Sequence, residues 1–163
     1  MKKIINKLNR FFLKRSYPMQ VLLFLLSSYV ALVFFIPILL VMLATGINTE
    51  GGPEVSTDKV IELMVIAPIL ETLVYQYLII RLFMYFAKSR KYYPCAILIS
   101  AIAFGLGHTY NPAYIFFAFF IGLVLAYMYY FYSKEPLKAF WTVVLVHGIR
   151  NGISIVLQEF VNL

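Results

Sequence analysis

The stretch APILETLVYQYLIIRL, residues 67–82, is apolar enough to cross a bilayer, yet it carries a glutamate, Glu71. An ionised side chain at the bilayer centre costs at least ~2.5–3.5 kcal/mol, so such residues normally face a bundle interior or a wet cavity. Pro68, three residues earlier, removes one backbone donor and can bend the helix, widening a cavity at Glu71. Thr72 and Gln76 follow, four apart and therefore on one helix face. The stretch predicts a membrane helix with a polar stripe, and the rest of the chain must supply what that stripe meets.

The composition agrees with a membrane setting. Of 163 residues, 63% are hydrophobic and 13% charged, with a mean hydropathy of +0.86. A soluble domain is about half apolar and about a quarter charged. The formal net charge is +7, but Lys and Arg gather at the ends of apolar runs, where they anchor helices and set topology. Nucleic acid is therefore not the expected partner; the lipid bilayer is. Cys95 is the single cysteine, so no intrachain disulfide can form.

The quoted stretch lies in an apolar run over residues 60–86, and four more occupy residues 18–45, 94–110, 112–132 and 140–160. The expected fold is all-α: a polytopic membrane helical bundle of about five transmembrane helices, forming one domain over residues 1–163. Residues 1–17, MKKIINKLNRFFLKRSY, place Ile4, Leu8 and Phe11 at helical spacing among basic residues and predict a basic interfacial helix. The linker GINTEGGPEVSTDK holds Glu50, Glu54 and Asp58 against one lysine, whereas AKSRKYY and SKEPLK are basic. Alternating the runs puts every basic cluster on one side. A multi-pass protein of the cell membrane is expected, with the N-terminus cytoplasmic and the acidic linker and C-terminus outside. No long internal repeat suggests a transporter built from inverted halves. Ala118, Gly122 and Ala126, and likewise Gly148 and Gly152, recur every four residues and predict close helix packing.

Polar residues recur inside two more of these runs. His108 follows Phe104 by four, and His147 precedes Asn151 by four, with Arg150 beside them. A carboxylate next to a histidine can hold and deprotonate a water. A second histidine with an amide side chain can donate hydrogen bonds to a developing oxyanion. Both functions are needed to hydrolyse an amide without a nucleophilic Ser or Cys.

The order Glu-Thr-x-x-x-Gln, Phe-x-x-x-His, His-x-x-x-Asn, each on its own apolar segment, resembles the CPBP (Abi) family of intramembrane proteases, named for CAAX proteases and bacteriocin-processing enzymes. The resemblance covers about residues 60–157, the catalytic-core helices. It implies that Glu71 is the general base, that His108 positions the same water, and that His147 and Asn151 stabilise the oxyanion. Thr72, Gln76, Phe104 and Arg150 are supporting residues. It implies a metal-independent glutamic protease with no cofactor, acting on a small membrane-associated peptide or a membrane protein.

The family's first motif is Glu-Glu-x-x-x-Arg. Here Thr72 and Gln76 replace its second Glu and its Arg, so a neutral hydrogen-bonding pair is expected where a charged pair usually stands. Arg150 can pair with Glu71, orient a substrate carboxylate, or snorkel to an interface. His108 falls near the outer end of its run and His147 about seven residues from the inner end of its own. Their convergence requires tilt or a third helix that ends within the bilayer near Asn111-Pro112. Three other functions fit parts of the pattern: a non-catalytic immunity or scaffold protein of the same fold, a zinc site of Glu71, His108 and His147, and a proton-coupled transporter. The missing His-Glu-x-x-His helix argues against zinc, and five spans without a repeat argue against transport.

Overall fold

The computed structural model describes residues 2–53 and 56–161; Glu54 of the acidic linker lies outside the described residues. All the regular structure described is helical. The elements are α1 (Lys2–Leu13), α2 (Tyr17–Ala44), α3 (Glu62–Ala87), α4 (Tyr93–Leu106), α5 (Pro112–Phe131) and α6 (Pro136–Val161). By length and apolar composition α2, α3, α5 and α6 can each cross a membrane. Proline sits in the first turn of α2, α4, α5 and α6, where a missing N–H costs nothing and φ is already set for a helix. Within α2, a 3-10 turn over Ala31–Phe34 precedes Pro37.

The third apolar run, over residues 94–110, differs from the others. α4 has 14 residues, about 21 Å at 1.5 Å per residue, which is short of a hydrocarbon core of about 30 Å. It stops at Leu106, and His108 lies in the turn beyond it rather than on the helix. The Gly107 N–H closes the helix onto the Ala103 carbonyl, and a Cβ at Gly107 would collide with the Tyr75 hydroxyl. This early stop is one of the two routes to convergence that the sequence left open.

The helices pack through small residues. Gly122 on α5 lets Phe104 Cβ and Ala101 Cα of α4 come to 3.1 and 3.2 Å of where its own Cβ would stand. Gly105 of α4 returns the contact, 2.8 Å from the Ile115 carbonyl by the same measure. Ala118 and Ala126 are buried beside them. Gly148 lies against the Met64 carbonyl, which joins α6 to α3 at backbone distance. The interior is then filled by Phe24, Ile80, Phe104, Leu125, Met128, Val143 and Val146. Leu70, Val74 and Leu78 of α3 face outward, as lipid requires.

Side-chain hydrogen bonds tie the two ends. At one end Gln20 donates to the Arg15 and Phe12 carbonyls and accepts from the Tyr132 hydroxyl, while Tyr17 and Thr142 share a 3.0 Å bond. The basic N-terminal segment and the SKEPLK turn therefore share one end. α1 is docked there: Phe12 is buried against Phe24, 4.3 Å between ring centroids, and Asn9 accepts from Tyr127 at 2.8 Å. Leu8 and Phe11 remain exposed on its outer face; the Ile4 side chain lies outside the described residues.

At the opposite end Asn111 caps α5 by accepting the Tyr114 N–H at 2.8 Å. Its amide also donates to the Glu50 and Gly51 carbonyls at 3.0 and 2.7 Å. Gly51, with φ near +97°, lets residues 48–53 turn back over the start of α5. Asn111→Ala should lower stability by about 1 kcal/mol from the lost cap alone and free this strap. Faster proteolysis of the 48–53 segment, with the rest of the chain intact, is the expected reading.

Candidate functional site

Glu71 lies between two unusual turns. α3 is π-helical over Glu62–Ile66 and again over Thr72–Leu78, with a short α-helical stretch, Ala67–Glu71, between them. Pro68 occupies the start of that stretch, so its missing donor falls where the hydrogen-bond register is already changing. Each π turn offers a carbonyl to a neighbouring helix. Asn151 Nδ2 of α6 donates to the Leu63 carbonyl at 2.9 Å, and Ser100 Oγ of α4 donates to the Tyr75 carbonyl at 2.7 Å. These bonds fix α3 against both helices on either side of Glu71.

Glu71 Oε2 lies 3.7 Å from His108 Nε2 and 3.6 Å from His147 Nε2. Both separations exceed direct hydrogen-bond length, and a water can bridge groups at this spacing. Phe104 touches both imidazoles, tilted against His108 at 4.5 Å and edge-on to His147 at 5.6 Å between ring centroids. Tyr114 stacks on His108, 5.9 Å between ring centroids. His108 Nδ1 lies 2.7 Å from the Phe104 carbonyl. A carbonyl only accepts, so Nδ1 carries the proton and a neutral His108 presents the Nε2 lone pair toward Glu71.

The three side chains face a cavity of about 140 Å³ that also reaches Tyr110, Arg150 and Asn151. Glu71 keeps 25% of its side chain accessible although its Oε2 is buried. Sequence reasoning missed Pro53 and Tyr110, which line the rim, and Tyr75, which packs on Phe104 at 5.5 Å. Tyr110 stands two residues after His108 in the turn that ends α4. Pro53 ends the strap that Asn111 holds at Glu50 and Gly51.

The structure separates the supporting residues. Phe104 and Arg150 line the cavity. Thr72 and Gln76 are fully buried, and neither forms the expected hydrogen bond: Thr72 Oγ1 and both Gln76 amide atoms have no partner among the described residues. Their π turn packs against α4, α5 and α6, so close packing on three sides, rather than mutual bonding, sets their rotamers. Arg150 does not snorkel. It is 5% exposed, with its guanidinium 5.5 Å from the Tyr29 ring centroid and 5.1 Å from that of Phe117. Nor does it pair with Glu71, whose ion-pair neighbours among the described residues are the two histidines. Asn151 shares the face of His147 as expected, but one of its amide hydrogens is committed to Leu63.

The comparisons with known proteins give one result. A family model described as Type II CAAX prenyl endopeptidase Rce1-like matches residues 56–153, more than half of the chain. No curated protein and no solved structure gives a significant match. The matched residues include α3, α4, α5 and most of α6, and with them Glu71, His147, Asn151 and, in the turn after α4, His108. The chain, an all-α polytopic membrane protein, thus belongs to the Rce1-like family of type II CAAX prenyl endopeptidases.

Proposed function

We propose that this protein is an intramembrane endopeptidase in which Glu71 is the general base for water attack on a peptide bond. The observation that carries this reading is the position of one carboxylate oxygen within 3.7 Å of two imidazole Nε2 atoms at a cavity. A water held by Glu71 and His108 gives its proton to the carboxylate as its oxygen attacks the substrate carbonyl carbon. The oxyanion accepts hydrogen bonds from the His147 Nε2–H and the free amide N–H of Asn151. The proton held on Glu71 then passes to the departing amine as the C–N bond breaks, which restores the carboxylate. No metal or cofactor is required, and chelation is expected to leave turnover unchanged.

The substrate class that fits is a small membrane-associated peptide, a leader peptide or the tail of a membrane protein, including bacteriocin-type peptides. The basic end that holds α1 and SKEPLK faces the cytoplasm in this reading. The test compares peptide termini in membranes and medium of cells carrying wild-type protein or Glu71→Gln at matched levels. New termini that vanish with the variant support proteolysis and reveal the substrate. Identical termini together with an unchanged cellular phenotype sink it in favour of a non-catalytic immunity or scaffold role.

Asn151→Ala gives an independent prediction. Loss of one oxyanion donor typically costs about 10²–10³-fold in turnover. The same change also frees the Leu63 carbonyl, so melting temperature should fall as well. A drop in stability with turnover intact would assign Asn151 to α3–α6 docking alone.

A further inference from the structure

Arg150 is a buried cation without a counter-ion among the described residues. Its Nε is buried with no hydrogen-bond partner there. The Tyr29 and Phe117 rings offset part of its charge. Ring faces attract the charge but do not satisfy N–H groups, and a buried guanidinium with idle donors is costly. Arg150 lines the cavity that Glu71, His108 and His147 share. The family resemblance places a cation four residues after Thr72, where this chain has the neutral Gln76; here the cavity's cation stands on α6 instead.

We propose that Arg150 is the specificity-determining residue that holds a carboxylate of the peptide ligand in this cavity. A guanidinium matches a carboxylate with two parallel hydrogen bonds. Arg150 lies three residues beyond His147, about 4.5 Å along the helix axis. The carboxylate is therefore seated beside the reacting carbonyl rather than on it. The ligand's carboxylate is its C-terminus or an Asp or Glu side chain. The inference rests on the peptidase reading for the nature of the ligand, but its test reads binding.

The full chain in micelles is titrated with three fluorescent apolar hexapeptides of one sequence, with signals corrected for empty micelles. The first has a free C-terminal acid, the second a C-terminal amide, and the third is the amide with one internal Asp. One anionic peptide should bind wild type at least about tenfold tighter than the plain amide, equivalent to ~1.4 kcal/mol. Preference for the acid assigns the site to a C-terminus; preference for the Asp peptide assigns it to a side chain. Arg150→Gln should abolish the preference, and Arg150→Lys, which keeps charge but loses the paired donors, should retain part of it. Equal binding of all three peptides to wild type overturns the proposal without any variant having to fold. A preference that survives Arg150→Gln overturns it too. Anion-selective binding by a protein that cleaves nothing would leave the anchor standing and remove the peptidase reading, and cleavage without selectivity would do the reverse.

Discussion

Glu71→Gln is expected to cut peptide hydrolysis by about 10³-fold while leaving the bundle folded, because general-base loss typically costs about 10²–10⁴. Glutamine has nearly the same shape as glutamate and keeps one carbonyl oxygen toward the imidazoles. It cannot take a proton from water. The folded state should be unharmed or slightly firmer, because the variant removes an ionisable group from the membrane interior. His108→Gln placed on top of Glu71→Gln should cost little more than either change alone, because both residues act on one water. Turnover, melting temperature and the double-mutant comparison read these three expectations separately. Turnover within tenfold of wild type would take Glu71 out of the chemistry. Multiplied losses in the double variant would mean that the two residues act at separate steps.

The second large effect is expected at a residue with no side chain, Gly148, beside His147. An added Cβ at Gly148 would collide with the Met64 carbonyl, which is backbone of the first π turn of α3. No side-chain rotation relieves that contact, so Gly148→Ala must push α6 away from α3. Overpacking of this kind costs about 1–3 kcal/mol. Because His147 is the neighbouring residue, its Nε2 must also leave its place 3.6 Å from Glu71. Displacement of a reacting group by about 1 Å can lower turnover about 10²-fold. Gly152 provides the internal control. A Cβ there would approach Met64 Cε at 2.6 Å, the free end of a flexible side chain that can swing aside. Gly152→Ala should therefore keep most stability and activity. Equal effects of the two substitutions would show that helix approach in general, and not the Met64 carbonyl, sets the α3–α6 distance.

Much of this architecture is legible in the sequence because lipid leaves few choices. Backbone groups in hydrocarbon must bond within their own segment, so long apolar runs become helices. Positions 17–44, 62–87, 112–131 and 136–160 follow from that rule with shifts of a few residues. Small residues at four-residue spacing mark faces that do meet, as at Gly122 and Gly148. Glu71, His108 and His147 stand out because each is costly where it lies, and cost in an apolar setting signals a shared purpose.

The exact end of α4 was not legible. Residues 94–110 read as one apolar run, and only the fit of Gly107 against Tyr75 and the turn beyond it stops the helix at Leu106. The π turns on either side of Glu71 were equally hidden, since a one-residue change of register leaves no compositional mark. Pro68 hinted at a bend but not at carbonyls turned toward Ser100 and Asn151. The fate of Arg150 depended on neighbours distant in the chain, Tyr29 on α2 and Phe117 on α5, so its burial could not be read from its own segment. By itself, the sequence determined that this chain is a helical membrane bundle with a few polar side chains in its interior, because hydropathy and spacing are local properties. Only the tertiary structure decided that one carboxylate oxygen meets two imidazoles while the arginine is left without a counter-ion among the described residues, because those distances depend on where helices end and how closely their backbones pack.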